Sequence, residues 1–216
     1  MEPSLELVAR LVVGLTCLSL AMVGVGALAR EQRTAANRGR VVERDEGPLG
    51  SVNIVGLGGF VVVGLASAIS LGGTVRPMAD PLDAAVRLVG IGVLWTAGLL
   101  AGWGLRTMGR HLSARAQLRS DTVLVTGGPF GMVRHPLYLS ILLLWAGAAL
   151  ALLSWLMAGG LFLAIPAFVA RARLEDTLLR RRFGRDWEAY AERVPLLLPG
   201  GPRQRPGPAT GAARRL

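Results

Sequence analysis

Gly127-Gly-Pro-Phe-Gly-Met-Val-Arg-His-Pro-Leu-Tyr138 opens onto a largely apolar run that extends to Val169. The stretch puts Arg134, His135 and a helix-starting proline, Pro136, where an apolar helix leaves water. Proline suits the first helical turn because the N–H it lacks would be unpaired there. The free amides and positive dipole end of such a helix attract negative charge, and Arg134 and His135 add to that attraction. The junction therefore reads as an anion site. Interfacial anchoring of basic side chains is the competing reading of the tripeptide alone.

Working outward, 216 residues that are 52% hydrophobic, with a mean hydropathy of +0.48, are too apolar for an ordinary soluble domain. Apolar runs lie at Val8 to Ala29, Leu49 to Leu71, Ala84 to Leu105 and Leu137 to Val169. A crossing takes about 20 residues, so the last run is expected to make two short ones, turning near Ser154 to Gly160. All 24 basic residues are arginine. Five lie between Arg30 and Pro48, five between Leu105 and Pro136, and eleven after Val169. Five spans with the N-terminus outside put these 21 on the cytoplasmic side and leave Arg10, Arg76 and Arg87 at the outer face. The expectation is an all-α polytopic membrane protein whose fourth and fifth spans form a helical hairpin.

A net charge of +10 invites a nucleic-acid reading. Arginines spread over every cytoplasmic segment are explained instead by topology and anionic lipid, and no nucleic-acid partner is expected. One cysteine, Cys17, and two histidines, His111 and His135, leave no expected metal centre. The first span has no convincing cleavage site after it and is expected to be retained. Glycines crowd the first three spans, where they let helices approach closely in lipid; the Gly98 to Gly102 spacing is read as packing within the chain. Arg106 to Asp121 reads as a short cytoplasmic helix, and the segment after Pro199 as a disordered basic tail.

Beyond the last apolar run come Arg171-Ala-Arg-Leu-Glu-Asp176, Phe183-Gly-Arg-Asp-Trp-Glu-Ala-Tyr190 and Val194-Pro195. Arg171, Glu175 and Leu178 share one helical face, with Asp176 about a third of a turn away. Phe183, Trp187, Tyr190 and Val194 recur at helical spacing and predict a cytoplasmic amphipathic helix. Together with the first stretch, these segments resemble the isoprenylcysteine carboxyl methyltransferase family and its phospholipid methyltransferase relatives. The resemblance runs from Val123 to Pro199. It rests on Gly128, Pro129, Phe130, Arg134, His135, Pro136, Tyr138, Arg171, Glu175, Asp176, Phe183, Gly184, Trp187 and Tyr190. Phe130 stands where the family has tyrosine, Asp176 where it has glutamate and Trp187 where it has tyrosine.

What the resemblance implies is methyl transfer from S-adenosylmethionine to a lipophilic small-molecule or lipidated acceptor, with an isoprenylcysteine-like carboxylate as one candidate. It implies a site facing the cytoplasm, in a bacterial inner membrane. Gly128, Pro129, Phe130, Arg134, His135, Tyr138, Glu175 and Asp176 are then the cofactor-binding candidates. Charge matching gives the cofactor carboxylate to the start of the fourth span and its ammonium to Glu175 or Asp176. Arg171 and Glu175 are the catalytic candidates, Arg171 holding an acceptor carboxylate through its two-pronged guanidinium. The implied organisation is a three-span region over 1–121, a catalytic region over 122–199 and a tail over 200–216. Sterol reductases, which use NADPH, share a related Arg-His-Pro-x-Tyr element but usually carry asparagine where Leu137 stands. That class and a non-catalytic membrane protein are the two alternatives.

Overall fold

The computed structural model describes residues 3–34, 41–44, 52–69, 81–109, 117–119 and 123–198. Six α-helices dominate: α1 (Pro3–Thr34), α2 (Val52–Ile69), α3 (Pro81–Met108), α4 (Pro136–Leu152), α5 (Trp155–Phe183) and α6 (Arg185–Arg193). Two short strands, β1 (Val41–Arg44) and β2 (Gln117–Arg119), pair antiparallel. Among the described residues, Leu82–Met108 and Trp155–Phe183 are long and apolar enough to cross a membrane. Leu7–Met22, Gly56–Ser67 and Pro136–Leu152 are shorter apolar helices. His111 and the tail over 200–216 lie outside the described residues.

The helices are apolar on both faces, so hydrophobicity does not choose which face packs. Small residues do. On α1 the buried stripe is Ala9, Val13 and Cys17, while Leu7, Leu11, Leu15 and Met22 point outward. Gly64 of α2 meets this stripe, and a Cβ there would lie 2.6 Å from Cys17 Sγ. Backbones come close between α3 and α4: a Cβ on Gly90 would lie 2.3 Å from the Ala151 amide nitrogen, and one on Gly147 would lie 2.9 Å from the Gly90 carbonyl oxygen. Gly98 and Gly102, expected to serve this purpose, have nothing within 4 Å. Their spacing was right for packing, but their face of α3 is the one turned away from α4.

The hairpin turns at Leu153–Ser154, the leading edge of the expected window, and helix resumes at Trp155. Leu153 adopts the left-handed conformation (φ 48°, ψ 48°), and the next amide, that of Ser154, bonds back to the Ala149 carbonyl. Ser154 then caps α5 by accepting from the Met157 amide. Gly160, which looked like a turn residue, is helical and gives room to the Trp145 ring. The buried Arg87 donates from Nη1 to the Ala151 carbonyl at 2.9 Å, occupying one of the acceptors that the end of α4 leaves open. Arg87 of α3 is thereby tied to the hairpin turn.

Of the short helix expected over Arg106 to Asp121, residues 110–116 and 120–121 lie outside the described residues, and the described ones form no separate helix. Helix α3 stops at Met108 because Gly109 takes a positive φ of +52°, which costs a glycine nothing and terminates the helix. Downstream, Gln117–Arg119 pairs with Val41–Arg44 as a strand. Helix α5 continues without a break past Pro166 and carries Arg171, Glu175 and Asp176 out of its apolar half.

A leucine in the left-handed region carries a penalty of roughly 1–2 kcal/mol that glycine does not. Leu153→Gly is therefore expected to hold or raise the thermal unfolding midpoint in detergent, offset in part by lost packing of a half-buried side chain. Leu153→Val, with a β-branch that tolerates positive φ still less, is expected to lower it. Equal destabilisation by both would show that side-chain packing, not backbone strain, governs the turn.

Candidate functional site

Gly128 begins the approach to α4 with φ +58°, and a Cβ there would lie 2.8 Å from Thr107 Oγ1 and 3.1 Å from Trp103 Nε1. Both the backbone angle and the close approach to α3 require glycine. A single 3-10 turn, Gly128–Gly131, follows, with Pro129 and Phe130 buried and the Met132 and Val133 amides bonded to the Pro129 carbonyl. His135 is the residue before α4 and Pro136 its first helical position.

The helix start does not present the open row of amides that the sequence suggested. The Arg134 amide donates to the Pro195 carbonyl at 2.8 Å and the His135 amide to the Leu196 carbonyl at 3.2 Å. Pro136 has no N–H, and the Tyr138 amide bonds to the His135 carbonyl. The chain after α6 thus returns as a strap that takes up the Arg134 and His135 amides. The remaining polar groups at this helix end are mainly side chains.

Those side chains meet α5. Asp176, 12% exposed at its side chain, accepts from Arg134 Nη1 at 2.7 Å through Oδ2 and from His135 Nε2 at 2.9 Å through Oδ1. An ionised carboxylate can only accept, so Nε2 carries the hydrogen of that contact. One helical position earlier, Glu175 accepts from the Tyr138 hydroxyl and lies 3.8 Å from His135 Nδ1. Arg171 Nε donates to the Tyr138 oxygen at 3.3 Å. The Tyr138 phenol is therefore clamped between Arg171 and Glu175, and its ring stacks on His135 with centroids 5.2 Å apart and packs on Phe168. Glu175 is 31% exposed at its side chain, whereas Arg171 is 1% exposed. Formal charge cancels across the cluster, two arginines against two acids, with the imidazole set aside.

Helix α6 closes over this group. It starts after Gly184, whose φ of +53° lets the chain bend out of α5. Its amphipathic character sends Trp187 and Tyr190 inward, while Glu188 pairs with Arg180 on the exposed face. The Arg134 guanidinium lies over the Trp187 ring, 5.5 Å from its centroid. Tyr190 donates to the Phe130 carbonyl at 2.7 Å, tying α6 to the 3-10 turn. Burial pushes the Tyr190 phenol well above its ordinary value; Arg134 opposes the rise and Asp176 adds to it.

The structure brings Arg134, His135, Tyr138, Arg171, Glu175 and Asp176 into one connected cluster, although 32 residues separate its two sequence segments. Gly128, Pro129 and Phe130 stand beside it, reached through Tyr190 rather than by contact with the acids. Asp176, the short acid, spans both Arg134 and His135. Sequence reasoning placed Trp187 and Tyr190 on an amphipathic stripe without assigning them to the site; it named Pro195 only as part of the pattern that carries the resemblance, and it passed over Phe168 and Leu196. The aromatic spacing was the available signal for the first two. The strap is made by backbone carbonyls, which no side-chain pattern reveals.

The profile of the phospholipid methyltransferase family matches residues 86–186, from α3 into α6. The chain is also 38% identical over 111 residues to the nickel-cobalt-cadmium resistance protein NccN of Alcaligenes xylosoxydans xylosoxydans, a match covering 49% of this chain and 50% of that protein. The chain spans about half the length of that curated relative. The family match and the two apolar helices mark the chain as a membrane protein.

Tyr190→Phe leaves the buried Phe130 carbonyl without its donor and is expected to cost about 1–2 kcal/mol of stability at neutral pH. The sign of its pH dependence follows from a raised folded-state value. The wild-type contribution is complete below the unfolded phenol's value of about 10 and is lost as pH rises toward the higher folded value. Thermal unfolding from about pH 8 to 11 should therefore show a Tyr190-dependent decline that the phenylalanine variant lacks. Parallel curves would detach Tyr190 from that decline.

Proposed function

From the match of residues 86–186 to the phospholipid methyltransferase family, we propose that this protein is a membrane methyltransferase that uses S-adenosylmethionine and acts on a lipophilic acceptor. The observation that carries the reading is the meeting of the α4 start with α5, where donor-only Arg134 and acceptor Glu175 flank one buried cluster. Arg134 Nε is buried and has no acceptor. A buried donor without a partner is costly, and such a group marks a place for an acceptor from outside the protein. The residues present thus suit a ligand with a carboxylate at one side and an ammonium at the other.

When bound, S-adenosylmethionine supplies an electrophilic methyl on a sulfonium. The chain's own work is to orient the reactants in line and to exclude water. Arg134 and His135 would orient the carboxylate end, with Asp176 fixing both side chains. Glu175, the more exposed acid, would face the ammonium. Gly128, Pro129, Phe130 and Tyr138 would border the adenosine side, under the roof of α6. The buried position of Arg171, with Nε committed to Tyr138, favours a positioning role for it, through Tyr138 and Glu175. Direct anchorage of an acceptor carboxylate is the competing role. A carboxylate acceptor needs no base, whereas an amine or thiol acceptor would deliver its proton to Glu175.

We assign residues 122–199 as the catalytic region and place it on the cytoplasmic side of a bacterial inner membrane, with five crossings and the N-terminus outside. The arginine asymmetry supports this topology. Reporter fusions after Gly47, Asp80, Arg119 and Val194 should read inside, outside, inside and inside. An outside signal at Val194 would overturn the five-span reading.

The function is tested by binding and turnover on the full chain in detergent. S-adenosylhomocysteine should stabilise the protein against heat and NADPH should not; the reverse would favour the reductase class. Glu175→Gln should weaken S-adenosylhomocysteine binding about tenfold, the loss of one charge-assisted contact. Arg171→Ala separates its two roles, because a positioning residue lowers kcat at unchanged acceptor KM, whereas an anchor raises acceptor KM. Labelled methyl from S-adenosylmethionine, traced into the host's lipid extract, identifies the acceptor: an isoprenylcysteine-type carboxylate, a lipid amine or another lipophile. Failure to bind S-adenosylhomocysteine at all would sink the proposal.

A further inference from the structure

We propose that the indole N–H of Trp187, together with Arg134 Nε, recognises the carboxylate of the cofactor's amino-acid end, so that α6 reads the ligand as well as covering it. This rests on the cofactor reading above. Trp187 is 8% exposed, and its Nε1 is buried with no acceptor, as is Arg134 Nε. The two groups belong to one contact, since the Arg134 guanidinium lies over the Trp187 ring. Indole and guanidinium nitrogens donate and never accept. Trp145 Nε1 is likewise unpartnered, but it belongs to the apolar core beside Phe60, away from this arginine.

Several donors at this helix end are already engaged. Asp176 takes Arg134 Nη1 and His135 Nε2, and the strap takes the Arg134 and His135 amides. Buried and without an acceptor near Arg134 are two donors, its own Nε and the indole N–H. Across the cluster the partly exposed Glu175 carboxylate offers acceptors only. Donors at one edge, an acceptor at the other and cancelling formal charge are complementary to a zwitterion. An α-amino acid group has that form: its carboxylate would lie against Trp187 and Arg134, and its ammonium toward Glu175.

The test compares two ligands that differ by this group. S-adenosylhomocysteine carries the amino-acid end, whereas 5′-methylthioadenosine keeps the adenosine and thioether and lacks it. Calorimetry on the full chain in detergent should find that Trp187→Phe weakens S-adenosylhomocysteine roughly five- to tenfold, as for one lost hydrogen bond to a charged group, and changes methylthioadenosine by less than about twofold. In protein labelled with ¹⁵N-tryptophan, the indole signal absent from the variant should move downfield with S-adenosylhomocysteine and stay put with methylthioadenosine. If Trp187→Phe does not fold, benzothienylalanine at 187 preserves the shape without the N–H and gives the same comparison. Equal loss for both ligands would make Trp187 an adenosine-packing or structural residue. Unchanged affinity would leave the indole to an ordered water, and either result overturns the inference. If wild type binds neither ligand, the cofactor reading falls first and this inference falls with it.

Discussion

The carboxylate of Asp176 sits where an apolar helix emerges, and a buried carboxylate is tolerable only when its lone pairs are met. Arg134 and His135 meet them from a different helix, which fixes α5 against the start of α4 at one register. Because Asp176 and Glu175 are adjacent, the same register delivers Glu175 to the Tyr138 hydroxyl and brings Arg171, one turn earlier, behind that phenol. The site is thus a consequence of one charge requirement satisfied across two helices. A partner removed from such a pair leaves the other group buried and unmet, so the cluster is specific in a way that lipid-facing contacts are not.

The packing of the helices makes that register possible. In an apolar solvent there is no hydrophobic gain from choosing one apolar face over another, so close backbone approach decides. Gly90 against Gly147 sets α3 on α4, and Gly160 receives Trp145 across the hairpin. At the far end, Leu153 and Ser154 turn the chain in two residues, while Arg87 occupies an open carbonyl of α4. A longer turn would let α5 slide relative to α4, and Asp176 would lose its two partners together.

Helix α6 and the strap after it give the site a third wall. Tyr190 on the Phe130 carbonyl and the strap carbonyls on the Arg134 and His135 amides all hold the region before α4 from the C-terminal side. The strap contacts take up the Arg134 and His135 amides, which would otherwise have contributed to a generic anion site. The polar character of the helix end is thereby carried by particular side chains more than by its amides.

By itself, the sequence determined the all-helical membrane character, through long apolar runs bounded by arginine. The family resemblance singled out Arg134, His135, Tyr138, Arg171, Glu175 and Asp176 as candidates, all of them charges or hydrogen-bonding groups flanking apolar helices, where they demand partners. The hairpin was legible because one apolar run was too long for a single crossing. Tertiary structure alone decided which groups became those partners. Helical spacing separates Glu175 from Asp176 by about a third of a turn, yet only the placement of α4 gives one acid to Tyr138 and the other to Arg134 and His135. Likewise the glycines at 98 and 102 and those at 90 and 147 look alike in sequence. The direction a helix face points is set by its neighbours, and so are backbone contacts such as the strap, which carry no side-chain signature.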